Sequence, residues 1–276
     1  MSLRIQTNIP SLEAQKNLAA TNKKLQTSFN KLSSGFRINS AADDAAGLAI
    51  SERMKTQIRS YVVAERNAND AISMVQTAEG ALGELHGILG RMRELAMQGA
   101  NGSLTATDRG YLDTEFAALK AEIGRIQGAA KFNGRQLIGT TAESIQFQIG
   151  LDDAPSDQLV LTFGGFALTT LLSTTTNVGG TTVSASLAAL NQIDTALQTI
   201  STERAKYGAA MNRLEITTSA IQTMRINLSA ANSRIRDVYV ADETARMASN
   251  QVIAQAGTSV LAQANQLPQM ALNLIQ

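Results

Sequence analysis

Leu32-Ser33-Ser34-Gly35-Phe36-Arg37-Ile38-Asn39-Ser40-Ala41-Ala42-Asp43-Asp44-Ala45-Ala46-Gly47-Leu48-Ala49-Ile50 interrupts two helical patterns, and the reading of the fold turns on it. Before it, Leu18, Leu25 and Leu32, and also Phe29 and Phe36, recur every seven residues; after it a longer apolar stripe begins near Leu48. Ser33-Ser34-Gly35 supplies a helix stop, because glycine accepts positive φ at little cost. Asn39, Ser40, Asp43 and Asp44 carry oxygens that can cap backbone N–H groups where the next helix begins. The stretch therefore reads as an ordered connector, with Ser34, Gly35, Arg37, Asn39, Asp43 and Asp44 as its defining residues.

Composition limits what surrounds it. The 276 residues are 44% hydrophobic but only 4% aromatic, with no Trp, so the core must be built from Ala, Leu, Ile, Val and Met, as helix–helix packing prefers. Basic and acidic residues number 24 and 23, a net charge of +1, so no global field draws the chain to nucleic acid or anionic lipid. Cysteine is absent, which excludes disulfides, thiolate nucleophiles and Cys-based metal sites. Arg4, Gln6, Asn8, Glu13 and Lys16 break up the apolar core that a secretory signal would need, and no stretch approaches the ~18 apolar residues of a membrane span.

Taken in order, Leu12 to Phe36 reads as an amphipathic helix with Asn8 or Ser11 as cap and Pro10 in its first turn. Its stripe at Leu18, Leu25, Phe29, Leu32 and Phe36 calls for a partner helix. Beyond the connector, Met54, Ile58, Tyr61, Ala68, Ile72, Val75, Ala78, Leu82, Leu85, Leu89, Met92 and Ala96 predict a helix of about 45–50 residues, about 70 Å long. Gly80, Gly83, Gly87 and Gly90 fall on a face of their own within it. Each costs about 0.5–1 kcal/mol relative to Ala. They read either as a groove that another helix approaches closely, from this chain or a neighbour, or as slack in a well-buttressed helix.

Thr105 or Thr107 with Asp108 starts a shorter helix marked by Leu112, Phe116, Leu119, Ile123 and Ile126, and Asn133-Gly134 makes a tight turn. The period then changes to two at Ile145, Phe147, Ile149 and at Leu159, Leu161, Phe163, which predicts a small β-hairpin on one flank of a helical body. Thr169 to Ser186 is a Ser/Thr/Gly-rich loop. From Leu187 a second long helix extends to Val238, matching the first in length and expected to pack against it antiparallel. The last helix carries its apolar positions at Ile253, Ala256, Val260, Ala264, Leu267, Ala271 and Leu274. The fold class is thus mainly α, a long antiparallel helical bundle or coiled coil with a β-hairpin flank and paired N- and C-terminal helices. An isolated terminal helix of this kind buries too little to offset the roughly 1–2 kcal/mol per residue of ordering entropy, so the ends should order only with a partner.

Leu32–Asn39 with Ala41–Gly47 resembles the N-terminal signature of bacterial flagellin, and Ala256-Gly257-Thr258-Ser259-Val260-Leu261-Ala262-Gln263-Ala264-Asn265-Gln266 resembles its C-terminal signature. The resemblance implies a secreted structural subunit of the extracellular flagellar filament, exported unfolded by the type III route and polymerising with itself. It implies as partners an export chaperone, cap and hook-junction proteins, and a vertebrate receptor for flagellin. Polymerisation would run through Leu18, Leu25, Phe29, Leu32, Phe36, Ile253, Val260, Leu267 and Leu274. Receptor contact would fall on Arg91, Leu95 and Glu115. The expected domains are 1–43 and 237–276, forming the terminal coiled coil, and 44–168 and 187–236, forming the rod. Residues 169–186 stand in place of outer domains. One departure is Arg236, where flagellins commonly carry an acid; it puts in doubt the ion pair the family makes at that joint.

Enzyme chemistry has little to stand on. His86 is the only histidine, with no HExxH, GxSxG or phosphate-loop motif, and Asp43-Asp44 and Asp152-Asp153 read as caps and turns. No catalytic residue, metal or cofactor is expected, nor any nucleic acid or membrane insertion. The rival readings are a hook–filament junction protein, which shares both ends, and a non-flagellar coiled-coil scaffold or secretion-tip protein.

Overall fold

The computed structural model describes residues 7–166, 168, 172, 176–179 and 183–273, with side chains to residue 266. It is mainly helical, as expected, and its residues form two compact units, one of 1–58 with 226–276 and one of 59–225. These contact boundaries fall inside the long helices, because the first turns of one and the last turns of the other pack with the connector.

In the first, or terminal, unit, α1 (Ile9–Ser34) starts at Asn8, whose side chain accepts from the Ser11 N–H at 3.2 Å, and ends at Gly35, whose φ of +76° is left-handed. It runs antiparallel to the last helix, α5 (Val240–Asn273): Asn8 Nδ2 donates to the Ala264 carbonyl at 2.8 Å and Ser11 Oγ to Asn265 Oδ1 at 2.7 Å. Pairing of the terminal helices is as the sequence predicts, but the seam differs. On α1 it is Ser11, Ala14, Leu18, Thr21, Leu25, Ser28 and Leu32, and on α5 Glu243, Met247, Asn250, Ala254, Gly257, Leu261 and Ala264, all buried or half-buried. Both sets alternate steps of three and four, a coiled-coil spacing.

Phe29 is 63% exposed and Ile253 and Val260 are 51% and 54% exposed, so these three are corrected off the intrachain seam. Counting on from Leu25 in coiled-coil steps reaches Ser28 and Leu32, not Phe29. On α5 the stripe lies one residue later than expected at Ala254, Gly257 and Leu261 and as expected at Ala264, because small residues let the backbones approach: a Cβ at Gly257 would sit 3.3 Å from Leu18 Cδ1. Leu274 and the side chain of Leu267 lie outside the described residues.

In the central unit, α2 (Ala45–Gly99) and α4 (Val183–Arg236) pack antiparallel, as their cross-helix ion pairs record: Arg93–Asp194 at 2.7 Å, Glu79–Arg204 at 2.9 Å and Glu65–Arg225 at 2.8 Å. The α2 core stripe, Ala68, Ala71, Val75, Ala78, Leu82, Leu85, Leu89, Met92 and Ala96, is fully buried and again spaced by threes and fours. Ala189, Ile193, Ala196, Ile200, Tyr207, Ala210 and Leu214 answer it from α4. Between them in sequence, α3 (Ala106–Ala129) opens with a capping box of Thr105 and Asp108 and contributes buried Phe116 and Ile123.

Asn133 and Gly134, both at positive φ, turn β1 (Lys131–Phe132) into β2 (Arg135–Gln136). The predicted hairpin is β3 (Glu143–Gln148) paired antiparallel with β4 (Gln158–Phe163), Ile145 opposite Leu161 and Phe147 opposite Leu159. Its apolar face lies on the core, where the Phe163 and Tyr207 rings are 5.5 Å apart. Half of the Thr169–Ser186 stretch lies outside the described residues, and its last four residues, expected as loop, are the first turn of α4.

Candidate assembly surfaces

The connector is built almost entirely from backbone-directed hydrogen bonds. Gly35 N–H donates to the Lys31 carbonyl at 2.9 Å, which closes α1, and Ser34 Oγ accepts from Phe36 N–H at 3.2 Å. Asp43 Oδ2 then accepts from Asn39 N–H (3.2 Å), Ser40 N–H (2.9 Å) and Ser40 Oγ (3.0 Å). The Ser40 N–H and hydroxyl hold the Asp43 carboxyl below its usual range. Asp44 Oδ1 caps α2 through the Gly47 N–H at 2.9 Å. A Cβ at Gly47 would press on the Asp44 carboxylate and on Ile38 Cδ1, at 2.8 Å, so these side-chain ends would have to shift.

The same stretch is tied to the end of α4. Arg37 N–H donates to the Arg236 carbonyl at 2.7 Å, the Arg37 guanidinium to the Ile235 carbonyl at 2.6 Å, and Val238 N–H to the Gly35 carbonyl at 3.0 Å. Arg236, where the resemblance leads one to expect an acid, stacks over Phe36 and pairs with Glu52, while Asp237 accepts from Ser233 Oγ at 2.6 Å. The ion pair at this joint is thus Arg236 with Glu52.

Two residues that reading the sequence did not single out are central here. Ile38 is buried beneath the connector. Arg109 is buried as well, and its guanidinium donates to the Gly99 and Asn101 carbonyls at 3.1 and 3.3 Å, closing the C-terminus of α2 from the next helix.

Elsewhere on the surface, a Cβ built at Gly80, Gly83, Gly87 or Gly90 would meet open space, although Gly80 shares a cleft with Glu122, Arg125 and Ile126 of α3. Arg91 Nε donates to Glu115 at 2.8 Å and its Nη1 to Glu94 at 2.9 Å, and all three side chains are exposed. Leu95 is 1% exposed, so the expectation of an apolar surface anchor there is corrected: it belongs to the core between α2 and its neighbours. His86 is exposed. Among the described residues no group of three His, Cys, Asp or Glu side chains could hold a metal, and no helix is long and apolar enough to cross a membrane.

Paired terminal helices, an ordered connector and a helical centre with a hairpin define a helical structural protein. Residues 5–142 match the model of the bacterial flagellin N-terminal helical region and residues 190–275 that of the C-terminal helical region. The chain is 42% identical to a flagellin of Halalkalibacterium halodurans over 273 residues, 99% of each chain. It is 39% identical to the flagellar filament 33 kDa core protein of Treponema phagedenis, again over 99% of each. Among solved structures it resembles the flagellin of Bacillus cereus, with a TM-score of 0.50 and 37% identity over 60% of this chain and 94% of that one. A structure described as a flagellar hook-associated protein of Vibrio parahaemolyticus has a TM-score of 0.61 over 71% of this chain and all of that one, and at 16% identity it shows shared fold alone. The chain belongs to the bacterial flagellin family, and it is a structural subunit of the flagellar filament. The hook-junction alternative is not favoured.

Proposed function

We propose that the chain is exported unfolded, polymerises with copies of itself into an extracellular filament, and orders its terminal helices as it does so. The observation that carries this is the division of apolar side chains in the terminal unit. The α1–α5 seam is lined largely by small and polar residues, while Leu12, Phe29, Val252, Ile253 and Val260 are exposed outside it. A large apolar side chain gains about 1.5–3 kcal/mol on burial, so covering these with a second copy supplies the driving force that the pair alone lacks. Leu18, Leu25, Leu32 and Phe36 would serve polymerisation indirectly, by holding the pair together. On this reading residues 1–43 and 237–276 act as the assembling domain, the connector sets their angle of entry, and the Gly80–Gly90 face receives a neighbour.

Electron microscopy of the full chain after addition of a kosmotropic precipitant, with circular dichroism before and after, tests the scheme. Long uniform tubes with a gain in helix signal are expected, and deletion of residues 253–276 should leave a helical monomer that does not polymerise. Robust tubes from the deletion would reject it. By family likeness the partners include an export chaperone, cap and hook-junction proteins. A vertebrate flagellin receptor would meet the exposed Arg91 and Glu115, whose planar fork and carboxylate suit a polar contact. Unchanged receptor activation by Arg91→Ala protein would remove that partner.

A further inference from the structure

We infer that the groove between α1 and α5 at Lys23, Lys24, Lys31 and Arg246 is a binding site for a small multivalent oxyanion of the phosphate and sulfate class. The groove is a cleft of about 640 Å³. It is lined by four cations and one carboxylate, Glu243, and so carries +3 in a chain whose whole net charge is +1.

The cations are not consumed by this chain's own acids. Lys23, Lys24 and Lys31 make no ion pair with a described residue, although Lys31 is near enough to Asp43 to help lower its pKa. Arg246 reaches Glu243 only at 4.0 Å. The imbalance extends through the unit: 1–58 with 226–276 holds eleven basic and seven acidic residues, net +4, against thirteen and sixteen, net −3, in 59–225.

A second observation is independent of charge. Ser28 lines the cleft at 5% exposure and makes no hydrogen bond to a described residue, its hydroxyl still reaching the solvent of the cleft, whereas Thr21 and Thr27 on the same helix bond the carbonyl four residues back. A hydroxyl left free at the cleft wall is a donor that an anion's oxygen can take up. Three ammonium groups on flexible stems and a guanidinium supply charge-assisted donors around it. No aromatic ring lines the cleft to stack a base, which separates this site from a nucleic-acid groove. Glu243 opposes an anion, but four cations outweigh it, and mutual repulsion among them is what a bound oxyanion removes.

The site requires α1 and α5 to be paired, so it is probed in filaments, and in this one respect it rests on the assembly reading. Uptake of radiolabelled inorganic phosphate is measured by equilibrium dialysis at ionic strength held constant with sodium chloride, together with the heat-depolymerisation midpoint. Saturable uptake of one phosphate per subunit is expected, with the folding equilibrium of the pair shifted about eleven-fold at ten times the dissociation constant. The double variant Lys24→Gln, Lys31→Gln should lose the saturable uptake. Absence of saturable uptake by wild-type filaments, or equal uptake by the variant, overturns the inference. Binding of polyglutamate without binding of phosphate also overturns it, and assigns the cleft to an acidic polypeptide. If the wild type forms no filaments, the assembly reading fails separately. Phosphate is then titrated into the monomer, where a saturable gain in helix signal supports the site and no gain rejects it.

Discussion

The guanidinium of Arg236 lies 4.6 Å from the centroid of the Phe36 ring, joining the last turn of α4 to the first residue after α1's glycine stop. Its other face pairs with Glu52 on α2, so one side chain ties three segments of the terminal unit. Arg236→Glu should lower filament heat stability by about 1–2 kcal/mol, since the cation–π contact is lost and like charges face each other. Adding Glu52→Arg should restore part of it. A double variant no better than the single one would show that the pair with Glu52 contributes nothing.

Gly47→Ala should loosen the start of α2. The new Cβ would press on the capping carboxylate of Asp44 and on the Cδ1 end of buried Ile38, so these side-chain ends must shift. Loss of a cap alone is worth about 1 kcal/mol. Hydrogen exchange at Gly47 and Leu48 should accelerate, and unchanged protection there would contradict the geometry.

On the glycine face, Gly83→Ala and Gly87→Ala should each stabilise the monomer by about 0.5–1 kcal/mol, since the added methyl meets nothing described. Gly87→Leu should leave the monomer's denaturation midpoint near that of the wild type while impairing polymerisation. Normal tubes from Gly87→Leu would reduce the face to tolerated slack.

Tyr207 is buried against Phe163 with its hydroxyl unpaired; it lies near the Gly164 amide without a hydrogen bond of good geometry. Burial, and secondarily Glu203, pushes the phenol up to about 12. The folded state therefore favours the protonated form. That contribution is complete below the ordinary phenol value near 10 and is lost as pH rises through about 12. Tyr207→Phe should keep or slightly raise stability at neutral pH and lessen the alkaline loss between these values, as read by denaturant titration at each pH.

The two stripes of α5 should separate by mutation. Leu261→Asp puts a charge into the seam with α1 and should reduce helix content and assembly together. Ile253→Asp and Val260→Asp, on exposed positions, should spare the intrachain pair and stop filament growth. Filaments from Val260→Asp with wild-type yield would show that its face is not covered by a second copy.

By itself the sequence determined the elements. The Leu32–Ile50 connector, the Thr105–Asp108 box, the Asn133-Gly134 turn and the period-two strands are local signals, each carried by residues within a few positions of one another. It also determined the α2 core, where eight of the nine buried stripe positions from Ala68 to Ala96 are those expected and the ninth is Ala71 in place of the larger, half-buried Ile72. What tertiary structure decided was which of two neighbouring stripes a helix buries. On α5, Ile253 and Val260 are more apolar than Ala254 and Gly257, and hydrophobicity alone favours them. The smaller pair is buried because closeness of the backbones at Leu18 requires small residues opposite it. Long-range partners were equally illegible: Arg109 capping α2, Arg236 on Phe36 and Leu95 in the core depend on segments that only the folded chain brings together.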